Sequence, residues 1–302
     1  MAAGVRARAM TSRRLGRAGC VRLASHPSVE TAVVELALST YGRQVRPGQT
    51  LSEAQRAVVD VAAWNVRVLA GWVPREGVTV LRVLIAVLEA ANVQDHLERL
   101  AGAQPPAPFR LGGLATAWPR LQRTTSAPDL RRALAASAWG DPGGESPREI
   151  TLWLRTTLAD RVVAAVPEAG VWASGATALL VAREVFLEGR RLPEHARLAA
   201  SRVIGPAAVS ATSLPELAAA LPARARWALA DVDRPDALWR AEARWWARVD
   251  EDATALVRHA RTGRGVLVGA VGLMAVDAWR VRAALEVAAR GGGPTEALDA
   301  VA

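Results

Sequence analysis

Apolar positions along this chain recur with helical spacing, and the strict alternation that marks half-buried strands is nearly absent. Within 77–101, Leu81, Ile85, Leu88 and Asn92 fall on one stripe while Val80, Val83, Leu84 and Val87 fill the other sides, so this helix is expected at the centre of its lobe. The stretch 235–261 is the opposite case. Trp239, Trp245 and Trp246 stand among charges there, as on a surface helix with one aromatic face buried. Long helices are also predicted over 52–72, 147–166 and 266–290, the last ending at Gly291-Gly292-Gly293. Thr50-Leu51-Ser52-Glu53 and Ser146-Pro147-Arg148-Glu149 have capping-box spacing, in which a hydroxyl serves an orphan amide and the glutamate reaches back to the cap. The fold class is therefore all-α.

One pattern occurs three times: a serine, a proline two residues on, then a helical run with small or aliphatic residues at fixed positions. The copies start at Ser25 (with Pro27, Ala32 and Val33), Ser126 (with Pro128, Ala133 and Leu134) and Ser213 (with Pro215, Ala220 and Leu221). Ser25 to Ser126 spans 101 positions and Ser126 to Ser213 spans 87, each the size of a small helical domain. An acid followed three residues later by a polar group, Glu89 with Asn92, lies 64 positions after Ser25; Asp277 with Arg280 lies 64 after Ser213. The position equivalent in the middle copy is Arg190. With linker signals at Gln104–Pro108, Asp141–Gly144 and Gly205-Pro206, three helical lobes are expected over 1–108, 109–199 and 200–302.

Composition refines this picture. At 302 residues, half of them apolar, the chain can bury roughly three quarters of its extended surface and folds as a globular body. Every basic residue is Arg, a skew expected of a GC-rich genome. The net charge of +9 admits an anionic partner, but the arginines are interleaved with acids, as from Arg224 to Arg264, which reads as a solvated helical surface. Cys20 is the only cysteine, so neither an intrachain disulfide nor a thiolate metal cage can form. The longest apolar run, Gly265 to Val276, is about 12 residues against the roughly 20 needed to span a bilayer. No transmembrane segment and no export signal are expected.

No constellation supports catalysis, a cofactor or a metal. Gly263-Arg264-Gly265 with Gly269 resembles a phosphate loop only loosely, lacking the Lys-Ser/Thr ending and a preceding strand. His26, His96, His195 and His259 form no ligand pair at helical spacing. Asp95-His96 reads as a locally bonded histidine, and Ser174 lacks the strand-to-helix elbow of a hydrolase. The eleven tryptophans are dispersed and suit core packing.

In order along the chain, Val5-Arg6-Ala7-Arg8, Leu38-Ser39-Thr40-Tyr41-Gly42, a long helix through Arg67, and Leu88-Glu89-Ala90-Ala91-Asn92-Val93-Gln94 resemble the C subunit of the V-type (A-type) rotary ATPases, the homologue of the d subunit of the eukaryotic V-ATPase. Ile204-Gly205-Pro206 through Leu221 is similar to the start of that family's third lobe. Asp277-Ala278-Trp279-Arg280-Val281-Arg282 is similar to its closing acid-x-x-Asn-x-Arg element, with Arg280 in place of Asn. The middle acid-x-x-Asn element is unrecognisable. The resemblance implies three pseudo-equivalent lobes forming a funnel, a non-catalytic rotor part that couples the central stalk to the membrane rotor ring. It implies a cytoplasmic protein, peripheral on the inner face of the membrane, with the stalk and ring proteins and no nucleic acid as partners.

Physically, Glu89 is the most demanding residue: a carboxylate on an otherwise apolar helix needs a partner. Arg67 is the expected one, ahead of Arg82 two turns earlier. Asp277 and Arg280 are placed to satisfy each other at i and i+3. Glu89, Asn92, Asp277, Arg280, Arg67 and Arg282 are the candidate structural or interface residues. Such pairs either fix helix register or line the surface that meets the stalk. The rival reading is an Arg-rich helical nucleic-acid-binding protein, which requires Arg clustered on one face; a generic helical scaffold is the third.

Overall fold

The helix starts read from capping signals are where helices begin in the computed structural model of this chain, which describes residues 2–260 and 263–293. The protein is 74% helical, with no strand among the described residues, so it is all-α. The helices are α1 (Ala2–Thr11), α2 (Gly16–Ala24), α3 (Val29–Ala37), α4 (Leu51–Ala70), α5 (Arg75–Leu100), α6 (Trp118–Leu121), α7 (Ala127–Ala135) and α8 (Pro147–Ala165). They continue with α9 (Gly170–Ala182), α10 (Glu194–Ile204), α11 (Pro206–Val209), α12 (Leu214–Ala220), α13 (Ala223–Arg226), α14 (Leu238–His259) and α15 (Arg264–Ala289). Residue 261, the expected end of the 235–261 helix, lies outside the described residues, as do positions 1 and 302 of the expected lobes. Complete capping boxes open α4 (Thr50 with Glu53) and α8 (Ser146 with Glu149).

The chain divides into two compact units, Met1–Leu81 with Trp246–Ala302 and Arg82–Trp245. Positions 108 and 200, the expected lobe boundaries, both fall inside the second unit. In the first unit α15 packs against α1, α2, α3 and α4 and is buried over most of its length, with Arg264, Arg282 and Ala289 exposed. That follows from its sequence: the apolar run from Gly265 to Val276 has no polar face to give to water. Leu23, Leu36, Val58, Val281 and Leu285 form the centre of this core. In the second unit α5 supplies Ala86, Val93 and Leu97 to a core with Leu121, Leu134, Trp139, Ile150 and Leu154, while α8, α9 and α10 pack on one another.

The two cores repeat one local design. A short helix (α2 or α6) leads into a serine-capped helix of nine residues (α3 or α7). Then comes a turn whose Ser39, Tyr41 and Gly42 recur as Ser137, Trp139 and Gly140. The turns are alike to the hydrogen bond. Ser39 Oγ donates to the Leu36 carbonyl (2.6 Å) and accepts from the Tyr41 amide (3.1 Å). Ser137 Oγ donates to the Leu134 carbonyl (2.7 Å) and accepts from the Trp139 amide (3.1 Å). The caps are Ser28, Ser126 and Ser213, each accepting from the amide three residues on. Ser25 is therefore not the first cap. It closes the end of α2, its hydroxyl bonded to the Arg22 carbonyl, and the repeat read from the sequence is three residues out of register at its first copy.

Two apolar stretches resolve differently from the sequence expectation. Pro167–Leu187, with mean hydropathy 1.3, is longer than Gly265–Val276 and is long and apolar enough, by length and composition, to cross a membrane. Half of its apolar window is buried within the protein, where α9 lies against α8 and α10. Of the glycines of the weak phosphate-loop pattern, Gly269 has a packing role. A methyl group at Gly269 would sit 2.7 Å from the Ala253 carbonyl oxygen, so α15 meets the backbone of α14 at close quarters. Gly269→Ala is expected to push these helices apart and to cost about 1–3 kcal/mol in chemical denaturation. An unchanged midpoint would show that the approach is not needed.

Candidate functional site

Glu89 is wholly buried, and its carboxylate is met by backbone. The consecutive amides of Thr116 and Ala117 donate to its two oxygens at 2.5 and 2.6 Å, and Trp139 Nε1 donates to one of them at 3.0 Å. Those amides stand at the entrance to α6, where a helix start leaves N–H groups without intrahelical acceptors. Three residues along α5, Asn92, also wholly buried, grips the Phe109 backbone: its Oδ1 accepts from the amide at 2.7 Å and its Nδ2 donates to the carbonyl at 3.0 Å. Spacing of i and i+3 thus puts both groups on one face of α5, where they fasten the segment 109–117. Neither Arg67 nor Arg82 is among Glu89's donors. Arg67 is half-buried on α4, and Arg82 donates to the Gly113 carbonyl (3.0 Å). The cation whose charge Glu89 supports is Arg161, which lies over the Trp139 ring at 4.9 Å. Burial lowers the pKa of that guanidinium, and Glu89 opposes the shift.

Asp277, 2% exposed, repeats the arrangement in the first unit. The consecutive amides of Leu15 and Gly16 donate to its two oxygens at 3.0 and 2.8 Å, and the Tyr41 hydroxyl donates at 2.8 Å. Burial, followed by the charge of Asp277, pushes the Tyr41 hydroxyl well above its ordinary pKa. The same two causes push the Cys20 thiol up to about 12, so this lone cysteine stays protonated and unreactive at neutral pH. Arg280 does not pair with Asp277 as expected. It turns to Asp250 on α14 (2.9 Å), which also lies 3.7 Å from Arg14. The reason is geometric: two aligned amides and a phenol already fill the carboxylate. Arg282 is exposed on α15, and its backbone carbonyl accepts from Gln55 (3.4 Å).

Each carboxylate therefore clasps the serine-capped motif that its own helix packs against. Glu89 clasps the motif that follows it in sequence, whereas Asp277, on α15, clasps the motif at residues 15–41. Pairing Glu89 with the Ser25 copy and Asp277 with the Ser213 copy is thereby replaced. Among the described residues, α9, which packs against the third motif, carries no acid to form such a clasp. In that motif the Gly205 amide bonds to the Ser201 carbonyl (2.9 Å), and Trp227 Nε1 donates to the Arg224 carbonyl (2.8 Å). The Trp227 ring lies against α9 at Gly175, where an added methyl group would sit 2.7 Å from it.

Sequence reasoning missed Trp139, Asp250 and Arg161. The recurrence of Ser39-x-Tyr41-Gly42 as Ser137-x-Trp139-Gly140 is the signal that finds Trp139; nothing in the sequence pairs Asp250 with Arg280. His96 is buried with Nε2 at 2.9 Å from the Thr124 hydroxyl and 3.1 Å from its carbonyl, and burial lowers its pKa. Among the described residues no group of three His, Cys, Asp or Glu is placed to hold a metal ion. In both clasps the carboxylate accepts from two consecutive backbone amides and one aromatic side chain. No protein-family model matches the chain, and no curated protein matches it.

Removing a clasp strands buried donors, each at about 1–3 kcal/mol. Glu89→Ala is expected to lose about 3–5 kcal/mol in urea denaturation, and Glu89→Gln, which keeps one acceptor oxygen, markedly less. Midpoints equal to that of the wild type would mean that water replaces the carboxylate at no cost.

Proposed function

We propose that this protein is a non-catalytic central-rotor subunit of a V-type rotary ATPase, coupling the central stalk to the membrane rotor ring during ATP-linked proton or sodium transport. The observation that carries this reading is the doubled clasp. The two acid-x-x-polar elements through which the chain resembles the C subunit of those enzymes, Glu89 with Asn92 and Asp277 with Arg280, each use the acid for the same task on the same kind of motif. A torque-transmitting part needs a stiff body, and buried charge-assisted hydrogen bonds across helices supply stiffness. A late helix fastened to residues 15, 16 and 41 is also what a ring-like set of repeats requires. The funnel of three lobes and the peripheral position on the cytoplasmic face of the membrane belong to the same proposal. So does the absence of a transmembrane segment and of ATP hydrolysis by the isolated chain.

Affinity capture of the tagged protein from native membranes tests it. Recovery of the rotor ring and central-stalk proteins, with one copy of this chain per complex and loss as salt screens the contact, is the expected result. Recovery of nucleic acid with none of those proteins would overturn the proposal in favour of the nucleic-acid-binding reading.

A further inference from the structure

A cavity of about 320 Å³ opens in the first unit between α1, the turn at 40–43, α4 and α15. Four arginines, Arg6, Arg13, Arg14 and Arg43, line it, and among the described residues the only acidic residue lining it is Asp277. That carboxylate already accepts hydrogen bonds from the Leu15 and Gly16 amides and the Tyr41 hydroxyl. Arg14 is partly offset by Asp250 at 3.7 Å. No carboxylate among the described residues forms an ion pair with Arg6, Arg13 or Arg43. Elsewhere the arginines of this protein pair freely with acids, as Arg131 does with Asp141, Arg148 with Glu184 and Arg202 with Asp160. Three of these four like charges around one concavity thus lack an ion-paired carboxylate among the described residues, and a bound anion would relieve their mutual repulsion.

Two of the arginines are held in place. Arg43 lies flat on the Trp64 ring, 3.7 Å from its centroid, and Arg6 lies over Trp72 at 5.2 Å. A guanidinium stacked on an indole spends its face on the ring and keeps its in-plane N–H donors for an acceptor. The Thr40 hydroxyl donates to the Arg13 carbonyl (3.0 Å), fixing that backbone against the turn. The half-buried Asn65 side chain adds an amide to the wall. Arg43 covers one face of the Trp64 ring.

We propose that this cavity is a binding site for a diphosphate or longer phosphate group, read by the N–H forks of Arg6, Arg13, Arg14 and Arg43. The site is independent of the rotary-ATPase reading. The volume exceeds what a single phosphate needs and suits a group with several charged oxygens spread among the four arginines.

Isothermal titration of the full-length chain with pyrophosphate, at constant ionic strength set with chloride, tests the proposal. Saturable one-to-one binding is expected. It should weaken about tenfold or more in Arg13→Gln, whose exposed side chain holds no other part of the structure, and in Arg43→Lys, which keeps the charge and loses the fork. Arg234→Gln, an exposed arginine of the second unit, should bind as the wild type does. Absence of saturable binding, or equal weakening in all three variants, would overturn the site and leave only general attraction to a basic protein. Sedimentation with phosphatidate vesicles, with and without pyrophosphate, then assigns the phosphate to a lipid headgroup if vesicles bind and are displaced, and to a soluble ligand if they do not bind.

Discussion

A buried carboxylate facing two consecutive backbone amides is the interaction on which the rest of this structure depends. The chain is a series of helices joined by short turns, and every helix start leaves amides that need acceptors. Where a start is exposed, water or a serine cap serves. At residues 15–16 and 116–117 the chain enters a core, and the acceptor has to come from elsewhere in the fold. Asp277 and Glu89 supply it with both oxygens, and Tyr41 and Trp139 complete the shell. An ionised acceptor makes each of these bonds stronger than a neutral one, and the low-dielectric surroundings raise the penalty for losing any of them. Register, helix approach and the position of each aromatic residue are fixed together.

The Asp277 clasp has a topological consequence. It joins residues 15, 16 and 41 to a helix more than two hundred positions later, so the first unit is complete only when α15 has docked. Contacts of such sequence separation cost loop-closure entropy before they return energy. The second unit, with Glu89 bonded to residues 116, 117 and 139, assembles from closer pieces. The same clasp floors the arginine-lined cavity. Asp277 there accepts from amides and a phenol, and no carboxylate among the described residues forms an ion pair with Arg6, Arg13 or Arg43.

Much of this was legible in the sequence, and the failures have definite physical causes. Helix starts at Thr50, Ser126, Ser146 and Ser213 were readable because a cap is a local interaction within four residues. The burial of Glu89 was readable from the apolar stripe around it. Its partners were not, since backbone amides carry no side-chain signature and the indole of Trp139 lies 50 positions on. Arginine was the expected partner because charge suggests charge, yet two aligned amides can meet both oxygens of a buried carboxylate with charge-assisted hydrogen bonds. The Asp277–Arg280 pair failed for the same reason, and Arg280 found Asp250 on another helix. Ser25 misled because Ser28, three residues later, is the true cap and both lie in one polar turn. The arginine cavity was invisible, as its residues come from separated segments that only the fold brings together.

Native-state hydrogen exchange of the Gly16 and Ala117 amides tests the clasp most directly. Both lie at turns between helices, where an amide without an acceptor exchanges rapidly. The carboxylate account predicts that each is protected nearly as strongly as the cores of α15 and α5, and that Asp277→Ala releases Gly16 while Ala117 stays protected. Exchange of either amide in the wild-type protein at the rate of an exposed loop would contradict it.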